Sequence, residues 1–160
     1  MFARTDRLLL RPAWNGELDQ ADAGLGSAPA ARATDDDRAA RPTLLVLERT
    51  ASAPRRVGQA ALVMLSGPMA ELFIRINPER RGEGFGREAA AALLQIADYA
   101  LKLREVVAHP APGDIAATRF LLSLGFEKSA DAMRRRHPGQ SSRLVKRKDP
   151  EAPSQPSMAA

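Results

Sequence analysis

The sequence predicts a single mixed α/β (α+β) domain rather than a doubly wound sheet. Four short apolar runs, bounded by Pro, Gly, Ser and Arg, follow one another through the first half of the chain with no long helical pattern between them. A glycine-rich loop then opens a segment of helical period, and strand, helix and strand patterns follow it in turn. The length of 160 residues corresponds to about one domain of ordinary size.

The early runs are Arg7 to Arg11 (RLLLR), Leu44 to Glu48 (LLVLE), Gly58 to Leu65 (GQAALVML) and Glu71 to Asn77 (ELFIRIN), each with the length and composition of a strand. Between the first two, the Ala/Asp/Gly-rich stretch from Asn15 to Pro42 has weak periodicity and room only for a short helix or two. From Arg87 to Lys102, Leu93, Ala97, Ala100 and Leu101 fall on one helical face among strong helix formers. Glu105 to Ala108 is a further strand and Pro110 to Gly113 a turn. Asp114 then caps a second helix that buries Ala117, Leu121 and Leu124 and stops at Gly125. Phe126 to Arg136 and Arg143 to Arg147 form a closing hairpin around His137-Pro138-Gly139-Gln140. The proline-bearing tail, 149–160, is expected to be disordered, which leaves 1–148 as the domain.

With 44% hydrophobic and 27% charged residues the chain can bury a core, and with aromatics at 4% that core must consist of Leu, Val, Ile and Ala. Absence of cysteine excludes disulfides, thiolate metal sites and a cysteine nucleophile. Two histidines, His109 and His137, are too few for a zinc site, so no metal is expected. No apolar run approaches the roughly 20 residues that cross a bilayer, and Asp6 and Arg7 stand where a signal peptide would be apolar, so a cytoplasmic protein without a membrane partner is expected. The net charge of +5 is a local property: seven Lys/Arg and no acid lie between Arg134 and Lys148, and the rest of the chain holds 17 basic against 19 acidic residues.

The most informative segment is Ile74 to Ala89, IRINPERRGEGFGREA, in which a strand ends at Asn77-Pro78, a basic glycine loop follows, and a helix begins near Arg87. Such a junction builds an anion site. Gly82, Gly84 and Gly86 remove side chains that would block the backbone, the first helical N–H groups lack intrahelical partners, and the helix dipole adds about half a positive charge. Arg80, Arg81 and Arg87 add cationic donors suited to phosphate. A Walker loop is excluded because no Lys precedes Lys102, and a dinucleotide loop fits poorly because the spacing is GxGxG after several strands. No GxSxG supports a serine hydrolase.

RRGEGFG resembles the acyl-CoA diphosphate loop of GNAT-type N-acetyltransferases, [QR]xxGx[GA], with Arg81, Gly84 and Gly86 on its defining positions. TDRLLLRP at Thr5 to Pro12, AELFIRINPERRGEGFGREA at Ala70 to Ala89 and RFLLSLGFEKS at Arg119 to Ser129 resemble, in order, three segments of its ribosomal-protein (RimJ/RimL-like) branch. The resemblance implies a mixed, mostly antiparallel sheet flanked by helices, with acetyl-CoA as cosubstrate. Its cofactor contacts would fall on Ile74, Ile76, Arg81, Gly82, Glu83, Gly84, Phe85, Gly86, Arg87 and Asp114. Two features depart from the family: the stretch 14–42 is shorter and more polar than its usual pair of helices, and its late-helix NxxS appears as Asp114 and Ala117. From the residues alone, Asp114 is an N-cap.

The implied reaction is direct attack of a free amine, on a protein N-terminus or a small molecule, upon the thioester. Backbone N–H groups near Phe73 to Ile76 would meet the developing oxyanion. Glu71 and His109 are the two candidates for the base. The position of the tyrosine acid of many relatives is Leu121, and the only tyrosine, Tyr99, lies on the other helix. A thiol of pKa about 8.5 leaves readily, and an α-amine near 8 is partly neutral at pH 7 where lysine near 10.4 is not, which favours an α-amine acceptor. A homodimer is compatible with this scheme. The alternatives are a catalytically weak acyl-CoA-binding module and a basic nucleic-acid or ribosome-binding protein resting on Arg134 to Arg136 and Lys146 to Lys148. No aromatics interleave those charges to stack bases, which argues against nucleic acid.

Overall fold

Short apolar runs set the early strands side by side. The structure, a computed structural model, describes residues 3–13, 17, 43–129 and 143–148. The expectations for most of 15–42, for the hairpin turn at 137–140 and for the tail at 149–160 lie outside those residues.

Strands β1 (Ala3–Arg4), β2 (Leu8–Pro12), β3 (Thr43–Glu48), β4 (Arg55–Met64) and β5 (Met69–Ile76) run antiparallel in chain order. The four expected early strands are present, with ends displaced by at most three residues. β6 (Glu105–Ala108) joins β5 in parallel. After it come β7 (Glu127–Lys128) and β8 (Leu144–Arg147), and β8 lies between β6 and β7, so the order is β1-β2-β3-β4-β5-β6-β8-β7. The closing strands are therefore paired as expected, but the later one inserts beside β6 instead of extending the sheet beyond β7. Apolar Leu144 and Val145, 0% and 5% exposed, explain this: the inner position buries both faces of β8, and β7 exposes Glu127 and Lys128 at the edge.

Leu44, Ala60 and Ile74 are successive partners across β3, β4 and β5, as are Leu62 and Leu72, so these residues share one face of the sheet. Helices α1 (Phe85–Gln95) and α2 (Ile115–Ser123) supply Phe85, Ala89, Leu93 and Leu121 to the core on that face, and β6 adds Val106 and Ala108. Burial of Phe85 and of Phe126, which follows α2, contributes about 1.5–3 kcal/mol each.

The long helix differs from expectation at both ends. It starts at Phe85, two residues before Arg87, because Phe85 is drawn into the core and Gly86 lets the first turn approach Ile76 and Phe120. At its far end the chain widens into a π turn, Ile96–Ala100, closed by the Leu101 N–H donating to the Ile96 carbonyl at 3.0 Å. The extra residue per turn rotates the face. Ala97 stays buried, Ala100 and Leu101 turn out to solvent, and Leu103 enters the core instead. On α2, Leu121 is buried as expected while Ala117 and Leu124 are only half-buried.

The basic strand β8 engages its charges within the chain. Arg143 and Arg147 pair with Glu105 at 2.9 and 3.3 Å, and Lys148 pairs with Asp98 at 2.7 Å.

One irregularity of the sheet places the site. β5 and β6 pair only through Met69, Ala70 and Glu71 with Glu105, Val106 and Val107. Beyond that, β5 continues to Ile76 bonded to β4 alone, while β6 ends before His109-Pro110, where proline has no N–H to offer a ladder. The two strands part, and among the described residues no strand pairs with Leu72 to Ile76 on the side away from β4.

Candidate active site

The unpaired end of β5 runs directly into the glycine loop. Asn77 donates its N–H to the Val57 carbonyl at 2.9 Å, Pro78–Arg80 makes a single 3-10 turn, and Arg81 is extended. Gly84 is the N-cap of α1, with φ 86°, and among the described residues no side chain caps the helix. A helix start normally has its orphan N–H groups met by a Ser, Thr, Asp or Asn oxygen. Here the N-cap is a residue without a side chain, and a helix start of this kind can accept an anion. The space around Gly82 is open, and Arg81 and Arg87 are exposed at the rim. Arg81 donates Nε to the Ile76 carbonyl at 3.2 Å.

Arg80 differs from expectation. Its guanidinium is engaged by carboxylates, Nε with Glu83 Oε1 at 2.7 Å and Nη2 with Glu83 Oε2 and Glu48 Oε2 at 3.0 Å each, so it is not a free phosphate donor. The hydrogen bonds that Arg80 donates to Glu83 and then to Glu48 raise its pKa further above the ordinary value, and the bond from Arg80 holds the Glu83 carboxyl below its own.

A second anchor comes from the first strand turn. Arg7 donates Nε to Glu88 Oε2 at 2.8 Å and its backbone N–H to Glu88 Oε1 at 3.0 Å, and Thr5 Oγ1 also bonds Glu88. Burial pushes the Glu88 carboxyl up, but the bonds from Thr5 and Arg7 outweigh it and leave the group below the usual range. The Glu88 contribution to stability is therefore complete above the ordinary glutamate pKa of about 4.3 and is lost as pH falls through the lowered value. Glu88→Gln is expected to melt below wild type at neutral pH, with the gap closing as pH falls below the ordinary glutamate value; a gap undiminished in acid would refute an ionic contribution. Sequence reasoning missed Thr5, Arg7 and Glu88, because no local pattern links Arg7 with a partner 81 residues away.

Glu71 and His109, separate candidates in the sequence, meet where the strands part. Glu71 is the cross-strand partner of Val107, and His109 lies two residues beyond Val107, so period-two alternation puts both side chains on one face. Their His109 Nδ1 to Glu71 Oε1 distance is 3.0 Å, and both side chains are about one-third exposed, at 35% and 30%. Ile74 and Ile76 turn their side chains into the partly buried layer beneath the helices. Asp114 caps α2, accepting from the Ala117 N–H at 2.8 Å. Leu121 is in the core, and Tyr99 is exposed on the π turn. Among the described residues no group of three or more His, Cys, Asp or Glu could hold a metal, and no helix is long and apolar enough to cross a membrane.

Uncapped amides at the start of α1 lie beside a parted parallel strand pair, an arrangement that can accept an anion followed by an extended, hydrogen-bonding chain. Residues 3–127 match the family model of the acetyltransferase (GNAT) domain, and the chain belongs to that family. It is an acetyltransferase that moves an acetyl group from acetyl-CoA to an amine. Among curated proteins none matches the sequence. Several solved structures share its fold. An acetyltransferase from Agrobacterium tumefaciens is 18% identical with TM-score 0.72, covering 92% of this chain and 95% of that one. A Vibrio cholerae protein provisionally assigned as a ribosomal-protein-serine acetyltransferase is 18% identical with TM-score 0.68, covering 92% and 98%. The Vibrio cholerae spermidine N-acetyltransferase in complex with CoA and spermine is 18% identical with TM-score 0.66, covering 89% and 96%.

Proposed function

We propose that this enzyme acetylates an α-amine, on a protein N-terminus or a similarly acidic small amine, with Glu71 and His109 working as one proton-accepting pair. The 3.0 Å contact between them, where β5 and β6 part, carries this reading. A carboxylate bonded to Nδ1 fixes the imidazole tautomer with its proton on that nitrogen, and Nε2 is then the atom that receives a proton from the acceptor amine, directly or through water. Acetyl-CoA binds with its diphosphate on the amides from Gly82 to Arg87, beside Arg81 and Arg87, and its pantetheine along Leu72 to Ile76. Glu83, Phe85 and Asp114 belong to the walls of the same site.

In the reaction the amine nitrogen attacks the thioester carbonyl carbon, a C–N bond forms, the C–S bond breaks, and the amine proton passes to His109. Backbone N–H groups on the free edge of β5 meet the carbonyl oxygen as it gains charge. The departing thiolate, with a parent pKa of about 8.5, leaves without a side-chain acid and takes up a proton afterwards.

Thiol release with acetyl-CoA and a panel of amines tests the acceptor: peptides with a free N-terminus, N-blocked peptides with an internal lysine, and spermidine. The α-amine peptides are expected to turn over fastest, and equal or faster turnover on lysine or spermidine would overturn the preference. His109→Ala is expected to lower kcat by about tenfold to a hundredfold at pH 7, with the deficit shrinking toward pH 9 as more acceptor becomes neutral. An unchanged kcat at pH 7 would remove the pair from the mechanism.

A further inference from the structure

Glu83 stands between Gly82 and Gly84, within the segment whose amides face the diphosphate, where a free carboxylate would repel that anion. Arg80 holds it in a two-point contact, at 2.7 and 3.0 Å, while the same guanidinium reaches Glu48 on β3. The Arg80 guanidinium centre lies 4.9 Å from the ring centroid of Phe85, which is buried, so the clamp is fixed to the core. Arg7, also 4.9 Å from that ring, donates Nη1 to the Glu83 carbonyl at 3.1 Å. In a trans peptide the carbonyl of Glu83 and the N–H of Gly84 point in opposite directions, so Arg7 turns that N–H away from itself.

Building on the diphosphate role of this loop, we propose that Arg80 is a positioning residue for acyl-CoA affinity, acting by neutralising and holding Glu83 instead of touching the diphosphate. It follows that the damage of losing Arg80 comes from the released carboxylate, and that removing the charge of that carboxylate repairs it. A direct phosphate contact or a purely structural role predicts no such repair.

The test is a calorimetric titration of the full chain with CoA and with pantetheine, which lacks the diphosphate. Arg80→Ala is expected to weaken CoA about tenfold, and the double variant that adds Glu83→Gln to return to within about threefold of wild type, an energetic coupling of neighbouring charges. Pantetheine affinity should be unmoved throughout. If Arg80→Ala does not fold, Arg80→Met keeps the stem against Phe85 and permits the same comparison. A double variant as weak toward CoA as the single one overturns the proposal. Wild-type protein that binds CoA no more tightly than pantetheine instead overturns the diphosphate reading on which it rests, and the two failures are distinct.

Discussion

Gly84→Val is expected to weaken CoA binding by about a hundredfold or more, a loss of about 2.7 kcal/mol, while the far-UV spectrum stays native. The reason is local to the N-cap. At φ 86° a β-branched residue is strained, at a cost of about 1–2 kcal/mol, and relief requires the backbone to rotate away from the conformation that begins α1 at Phe85. Even a single Cβ would stand 3.2 Å from Arg7 Nη2, so the guanidinium that orients the Glu83 peptide must move. Valine then adds methyl groups over amides that the anion has to approach. Gly84→Ala should fall between the two, and titration with CoA alongside thermal melts separates lost affinity from lost folding. Native CoA affinity in the valine variant would remove the loop from the site.

Gly58→Ala is expected to destabilise the whole domain by about 3 kcal/mol, lowering the melting temperature by about 10 °C, with Gly58→Val failing to accumulate as folded protein. Gly58 pairs with Ile76 at the far end of β5, and a Cβ there would sit 2.3 Å from the Arg75 carbonyl oxygen and 3.0 Å from Ile76 Cα. Those are backbone atoms, which cannot swing aside as a side chain would. The strands must separate where β5 is already without β6, and the Asn77 to Val57 bond that starts the loop goes with them. A melting temperature within about 2 °C of wild type for the alanine variant would show that this approach is looser than the geometry indicates.

The same two glycines show what can be read without coordinates. Gly84 sits in a basic triple-glycine segment between a strand pattern and a helix pattern, so its use follows from sequence spacing. Gly58 is an ordinary glycine in an apolar run, and only the close passage of β5 gives it weight. Asp114 as an N-cap was legible because the Ala117 N–H it accepts lies three residues away. Arg80 was misjudged because its local surroundings are those of a phosphate donor, while Glu48, which helps hold it, is 32 residues distant. The π turn escaped notice because alanines and leucines satisfy a 3.6 period and a wider one equally well over so short a span.

Sequence alone determined the main strands, the existence of the two helices, the glycine loop ahead of α1, the absence of cysteine chemistry and the family to which these point, because each depends on residues a few positions apart. Tertiary structure decided that β8 inserts beside β6, that β5 and β6 part after Glu71, that Glu71 meets His109 across 38 residues, and that Arg80 and Arg7 hold the loop. Those contacts depend on which strands become neighbours, a choice made by the burial of the whole apolar surface at once, and no short window of the chain carries that information.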